Sequence, residues 1–398
     1  MAGIYIHIPF CKRRCIYCDF FSTTCSEKIP TYVDALCKEL DIRKDYADEE
    51  IETIYFGGGT PSQLSIDELE NIFHHIYNIY KVKEDAEITL EANPDDLTSD
   101  YVEQLRRLPV NRLSMGIQTF HEETLRLLHR RHSASQAIEA YHRCREAGFH
   151  NISIDLMYGL PGETLDRWEN DLRQALELRP EHISAYHLIY EEGTALWKLK
   201  EEHQVEEADE DVSLQFFSTL IERLTEAGYQ HYEISNFSLP GLHSRHNSSY
   251  WLGKKYIGCG PSAHSYNGTS RQWNIASLDA YISNMENGEP CFEVEELDLY
   301  TRYNDFIITR IRNALLDCFY NGFTTAVVEL NEHIMRKIVS EQLFATEARE
   351  RWRNKEVYFV PHRTYKEDYF TVRGELEVPL SLPEKTQSLH ETTIPCTR

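Results

Sequence analysis

Nowhere in the 398-residue chain is there an apolar run of the roughly 18 residues that a membrane-spanning helix needs. The first ten residues carry neither a basic n-region nor a small-residue cleavage site, so no secretory signal is expected and a cytoplasmic location is. Positive charge is scarce. Forty-one Lys and Arg stand against 65 Asp and Glu, a formal charge of −24. A chain this acidic makes a poor generic nucleic-acid binder and is repelled by anionic membranes, local basic patches apart. Ten cysteines are too few for a disulfide scaffold. No Gly-x-Gly-x-x-Gly dinucleotide fingerprint occurs. What remains is ordinary for a soluble globular protein, with 41% hydrophobic and 27% charged residues. The length predicts one large domain and one smaller.

The first half alternates β-rich runs with amphipathic stretches. The runs are Ile4–Ile8, Ile51–Phe56, Ala86–Ala92, Arg112–Gly116, Asn151–Met157 and His182–Ile189. Helical periodicity marks Tyr32–Ile42, Ile66–Tyr80, Tyr101–Leu108, Ala134–Ala147 and Leu165–Leu178. Crossovers this long imply a parallel sheet. Six repeats are two short of a full barrel, which predicts an α/β fold: an open, partial (β/α)6 TIM-like barrel with its ligand at the C-terminal strand ends. Near residue 190 the rhythm changes. An acidic stretch, a helix over Leu214–Ala227 and a segment dense in His, Tyr, Trp, Asn and Gly follow. The expected organisation is a core at 1–230, an extension at 231–312, a C-terminal domain at 313–380 and a poorly ordered tail at 381–398.

Three cysteines fall within eight residues: Cys11-Lys-Arg-Arg-Cys15-Ile-Tyr-Cys18, directly after the first strand. A structural zinc wants four protein ligands, and no fourth Cys or His stands at partner spacing. A [4Fe-4S] cluster held by three cysteines leaves one iron open for a substrate. A zinc loop or chance thiols remain the bland alternatives. Lys12, Arg13 and Arg14 favour an anionic cluster or a redox partner, unless they are simply a solvated basic loop.

The Cys-x3-Cys-x2-Cys spacing, with Tyr17 before the third cysteine, resembles the signature of the radical S-adenosylmethionine (SAM) superfamily. Tyr5-Ile-His-Ile-Pro-Phe-Cys11 resembles the group around oxygen-independent coproporphyrinogen III dehydrogenase, and within it the heme chaperones of the HemW family. The likeness runs over about residues 1–312. It implies a radical SAM core with Cys11, Cys15 and Cys18 on a [4Fe-4S] cluster, SAM on the open iron, and reductive cleavage of SAM. An electron donor such as flavodoxin, and recipient hemoproteins, respiratory ones among them, are implied as partners. The family also implies a smaller helical, winged-helix-like C-terminal domain, which residues 313–398 match poorly.

Phe56-Gly57-Gly58-Gly59-Thr60-Pro61-Ser62 closes the second strand. Alone it reads as a plain turn or as a backbone cradle. Strands three to five each end in a polar residue: Glu91, Gln118 and Asp155. Arg130 follows in His-Arg-Arg-His. Any one of these could cap a helix or form an ion pair, but a series on successive strands suggests a ligand. The resemblance implies that Tyr5, Tyr17, Gly58, Gly59, Thr60, Glu91, Gln118, Arg130, Asp155 and Ile189 line the SAM site. His246, before Tyr250 and Trp251, and His264, after Gly258-Cys-Gly-Pro, fall in family patterns. They are the expected heme ligands, His246 ahead of His264. Otherwise they are hydrogen-bonded core residues.

Two departures separate this chain from the decarboxylating dehydrogenase of porphyrin biosynthesis. Phe20 stands where that enzyme has a fourth cysteine, and only ten residues precede Cys11. Both favour a heme chaperone. The rivals are the dehydrogenase itself and another radical SAM enzyme acting on a tetrapyrrole.

Overall fold

A computed structural model describes residues 2–46 and 49–299, five helical positions between 301 and 309, and two short strands near the C-terminus. It divides into two compact units, Met1–Arg302 and Tyr303–Arg398.

The first unit is built on βα repeats: β1 Ala2–Ile8, α1 Ile29–Ile42, β2 Ile51–Gly58, α2 Ile66–Ile79, β3 Val82–Ala92, α3 Ser99–Leu105, β4 Arg112–Gln118, α4 Glu122–Leu127, α5 Ala134–Glu146, β5 Ile152–Tyr158, α6 Leu165–Leu178 and β6 His182–His187. The six predicted strands are all present, in sequence order and parallel. Local sequence sets the helix starts. Ser65 and Ser133 cap α2 and α5, each reciprocated by Glu68 or Gln136 three residues on.

The next elements are α7 Ala195–Glu201, α8 Glu210–Glu226, β7 Gln230–Glu233, β8 Asn236–Ser238, α9 Arg245–Trp251, β9 Lys255–Cys259, β10 His264–Tyr266, β11 Ser270–Asn274, α10 Leu278–Asn287 and β12 Phe292–Glu296. These strands extend the same sheet at both edges, in the order β12-β11-β10-β9-β1-β2-β3-β4-β5-β6-β8-β7. β9 is a seventh parallel strand, paired with β1, where the sequence suggested six. The sheet is open, as a partial barrel requires. In the second unit β13, Tyr369–Thr371, pairs antiparallel with β14, Thr393–Pro395. The expected winged-helix-like domain and tail otherwise lie outside the described residues.

Period-two alternation gives the parallel sheet two unlike faces. Ile4, Ile6, Ile54, Phe56, Leu90, Leu113, Met115, Ile152, Ile154 and Ile183 point outward and are fully buried under the helices. The inner face is polar. Tyr5, Tyr55, Thr89 and Arg112 form one row across β1–β4. Glu91, Ser114, Ser153 and His182 form the next across β3–β6.

The β9–β11 edge is held to the first repeat by a buried ion pair. Glu39 of α1 and Arg43, just past its end, join at 2.7 Å. The Arg43 guanidinium donates onward to Ser265, Gln272 and Asn274. Glu39 accepts from the Gly260 amide, the Tyr281 hydroxyl and the Asn274 amide, each at 2.7 Å. Removing one member of such a network leaves the other charge buried and alone. Glu39→Ala should therefore cost about 3–5 kcal/mol of stability by chemical denaturation. A loss within surface-mutation range would mean that the seam carries little.

Candidate functional site

The C-terminal ends of β1–β6 open onto the cysteine loop. That loop is pinned at its entry, where the Thr23 amide donates to Pro9 O and the Cys11 amide to Thr23 O. Its middle is pinned where the Ile16 amide donates to Leu128 O and the Leu196 amide to Ile16 O.

Two donors reach the sulfurs. Thr60 Oγ1 lies 3.4 Å from Cys11 Sγ, and Arg130 Nη1 lies 3.4 Å from Cys15 Sγ. Asn93 joins these donors, giving its amide to Thr60 at 3.3 Å and accepting from Arg130 at 2.7 Å. The result is a ring: Cys11, Thr60, Asn93, Arg130, Cys15. Tyr17 stands beside Arg130 and Cys15. Burial raises the Cys11 thiol and pushes Cys18 up to about 11. A metal that takes them must therefore displace protons. Among the described residues no three His, Cys, Asp or Glu side chains are gathered for a single ion. A four-iron cluster places each thiolate on its own iron and needs no such convergence. Donors aimed at two sulfurs in a half-buried loop fit its electron-rich ligands.

The glycines hold this geometry. A Cβ on Gly59 would come within 2.8 Å of Ile8 O, so the Gly-rich turn can lie against the start of the cysteine loop only without a side chain. Gly116 is similarly confined. Its Cβ would meet the Gln118 amide at 2.9 Å and Arg130 at 3.2 Å. A bulge between Gly116 and Gln118, with Gln118 at φ 72°, folds that side chain back over Gly116 toward Arg130.

Below this ring lie two carboxylates. Glu91 Oε1 accepts from the Tyr55 hydroxyl at 2.7 Å, and Asp155 Oδ1 from the Ser114 hydroxyl at 3.3 Å. Asp155 sits mid-strand in β5, deeper than the strand end expected for it. Burial raises Glu91 to about 7, with the neighbouring Asp155 adding to the rise. Burial likewise raises Asp155 to about 6, against the pull of Arg112. Arg112 is 1% exposed, and its Nε and Nη1 have no partner. The adjacent Thr89 hydroxyl also lacks one. Orphaned polar atoms on an inner face mark space for a polar ligand or water. Tyr5 bonds His7 Nδ1 at 3.1 Å, and His7 Nε2 donates to Phe21 O at 2.9 Å, tying β1 to the cysteine loop. Ile189 is exposed just past β6.

The two expected heme ligands differ. His246 is 1% exposed at the start of α9. Its Nδ1 bonds Thr53 and its Nε2 bonds Tyr250, both at 2.8 Å, and its ring stacks on Tyr55 at 5.0 Å. Burial lowers it to about 3. Both ring nitrogens are thus engaged by hydroxyls in this structure. His264 is exposed on β10, 6.3 Å from the Trp273 ring. Tyr55, Asn93, Arg112 and Ser114 were missed. Each flanks or shares a strand with a predicted residue, and Asn93 is two residues past Glu91.

Comparison with known proteins agrees with this geometry. Residues 5–175 match the radical SAM superfamily. A protein of Bacillus subtilis named heme chaperone HemW is 37% identical over 302 residues, 75% of this chain and 79% of that one. Its namesake from Lactococcus lactis is 33% identical over 343 residues, 85% and 89%. The chain belongs to the HemW family of the radical SAM superfamily. Among solved structures, a coproporphyrinogen III oxidase (HemN) of Escherichia coli, described as a radical SAM enzyme, superposes with a TM-score of 0.69. It is 25% identical, over 78% of this chain and 76% of that one. Membership of the superfamily implies a [4Fe-4S] cluster and SAM for this HemW-family chain.

The raised carboxyls set a pH dependence. The folded protein holds these protons more tightly than the unfolded chain does. The stability they contribute is full below the ordinary carboxyl pKa and is lost as pH rises through about 6 to 7. The ligand-free protein should gain stability as pH falls from 8 to 5.5, and Glu91→Gln should flatten that gain. Equal slopes in denaturation curves of the two proteins would show that Glu91 does not titrate in this range.

Proposed function

We propose that the chain is a heme chaperone on a radical SAM scaffold. It binds a [4Fe-4S] cluster through Cys11, Cys15 and Cys18, SAM against the inner face of the barrel, and heme for delivery to hemoproteins. The observation carrying the cofactor part is the ring that brings Thr60 and Arg130 to the cysteine sulfurs above Glu91 and Asp155. When bound, the cluster and SAM supply one-electron chemistry. The chain's own residues bind and orient. Glu91 and Asp155 suit the hydroxyl and ammonium groups of SAM, Arg130 its carboxylate, and the Gly58–Thr60 turn its methionyl backbone. Phe20 supports the chaperone part: it is 64% exposed beside Cys18, with no thiol to offer there.

Anaerobically reconstituted protein should hold about four irons. Serine at Cys11, Cys15 or Cys18 should abolish this, because a hydroxyl is a poor soft-metal ligand. Cys25→Ser should retain it, and equal loss there would redraw the ligand set. Glu91→Ala, Gln118→Ala and Asp155→Ala should each weaken SAM binding by about 1–3 kcal/mol. Unchanged affinity in all three would assign them a structural role.

Heme recognition in an acidic chain must rest on local contacts. With His246 engaged, His264 becomes the first candidate ligand. Hemin should give a Soret band that His264→Ala shifts or weakens, while His246→Ala lowers stability. An unchanged Soret band in His264→Ala would place the ligand elsewhere. The fold shared with coproporphyrinogen III oxidase favours a second reading, oxidative decarboxylation of a porphyrinogen. Formation of protoporphyrinogen from coproporphyrinogen, SAM and reductant, with no hemin binding, would decide for it.

A further inference from the structure

β3 runs into Asn93-Pro94-Asp95-Asp96, a single 3-10 turn. Asp95 takes an ordinary ion pair with Arg131 Nη1 at 2.7 Å. Asp96 is different. Its side chain is 2% exposed and gathers donors from three separate loops. Ser62 Oγ donates to Oδ2 at 2.9 Å and Gln63 Nε2 to the same oxygen at 2.6 Å. Lys12 Nζ donates to Oδ1 at 2.9 Å. Arg131 Nη2 reaches both oxygens, at 3.1 and 3.0 Å.

Each of these loops also carries a group at the cysteine sulfurs. Lys12 follows Cys11. Ser62 is two residues past Thr60, which touches Cys11 Sγ. Arg131 follows Arg130, which touches Cys15 Sγ. Asn93, three residues before Asp96, links Thr60 to Arg130. The donors of Asp96 have little in common except their neighbours. Charge-assisted bonds to a desolvated carboxylate are strong and directional, so they fix loops more tightly than surface ion pairs do.

We propose that Asp96 is a positioning residue for the iron–sulfur site, clamping the cysteine loop, the Gly-rich turn and the Arg130 loop into the arrangement that receives the cluster. This rests on Cys11, Cys15 and Cys18 being the cluster's ligands. The clamp acts through geometry and through charge: Asp96 answers the cations of Lys12 and Arg131, one of them adjacent to a ligand.

Asp96→Asn keeps the shape, but its amide nitrogen would face other donors and its negative charge is gone. The variant should retain less iron than wild type after the same reconstitution. The reduction potential of what remains should move in the positive direction, because Lys12 loses its counter-charge and Arg131 keeps only that of Asp95. In iron-free protein, mass spectrometry should show Cys11 alkylated several-fold faster than in wild type. Lys12→Gln removes one arm from a side chain that is 58% exposed, so it tests the clamp without threatening the fold. It should show the same loss of iron and the same rise in Cys11 reactivity, smaller in size, while the potential moves the opposite way because a cation is removed. Asp100→Asn, on the exposed face of α3, should show none. Wild-type iron content, potential and Cys11 reactivity in both Asp96→Asn and Lys12→Gln would overturn the proposal. Should Asp96→Asn fail to fold, Lys12→Gln decides. A wild-type protein that binds no iron would instead overturn the cluster reading, and alkylation of the iron-free protein would still test the clamp.

Discussion

The inner face of the parallel sheet is polar, and every polar group buried there must find a partner or a ligand. That demand organises the rest of the chain. Outside, the strands are covered by helices through aliphatic contacts that any α/β protein would make. Inside, the side chains of β1–β6 satisfy one another in short chains of hydrogen bonds: Tyr5 with His7, Tyr55 with Glu91, Ser114 with Asp155, Ser153 with His182. The chains stop short at Arg112 and Thr89, which keep unspent bonding capacity next to the carboxylates. The cysteine loop meets the same requirement at the open end, where Thr60 and Arg130 turn from barrel residues into neighbours of sulfur.

Much of this was legible in the sequence because short-range patterns carry it. The strands announced themselves as β-branched runs of the right length, the helices as three-and-four spacing, and the cysteine loop by its own spacing. β9 did not. It has five residues, one a glycine, and lies among histidines and tyrosines that looked like site material rather than strand. The hydrogen bonds of His246 were hidden for a related reason. A histidine ahead of Tyr250 and Trp251 looks like a ligand beside stacking rings. Yet Ser244 caps a helix there, which sets His246 and Tyr250 four residues apart on one face and lets them bond. Asp96 had no local signal. Two acids after Asn-Pro resemble a solvated turn, and only the fold brings Lys12, Ser62 and Arg131 to one of them.

The stretch after β6 contributes more than an appendage. It supplies strands to both edges of the sheet, and the pair of Glu39 and Arg43 locks its β9–β11 portion to the first repeat. Resemblance over a superfamily core would not by itself place these residues, because their partners are more than 200 positions away in sequence. Polar contacts to the Glu39 and Arg43 side chains add to the backbone pairing of β9 with β1 and to shared hydrophobic packing. That makes the join specific in register as well as stable.

α9 lies across the N-terminal ends of β1–β3, with Glu87 accepting from the amides of both Arg245 and His246. Together with Tyr55, Tyr250 and the engaged ring of His246 it makes a floor. Side chains thus close the strands from below, and a ligand on the inner face must come in from the cysteine-loop end or past an open edge of the sheet.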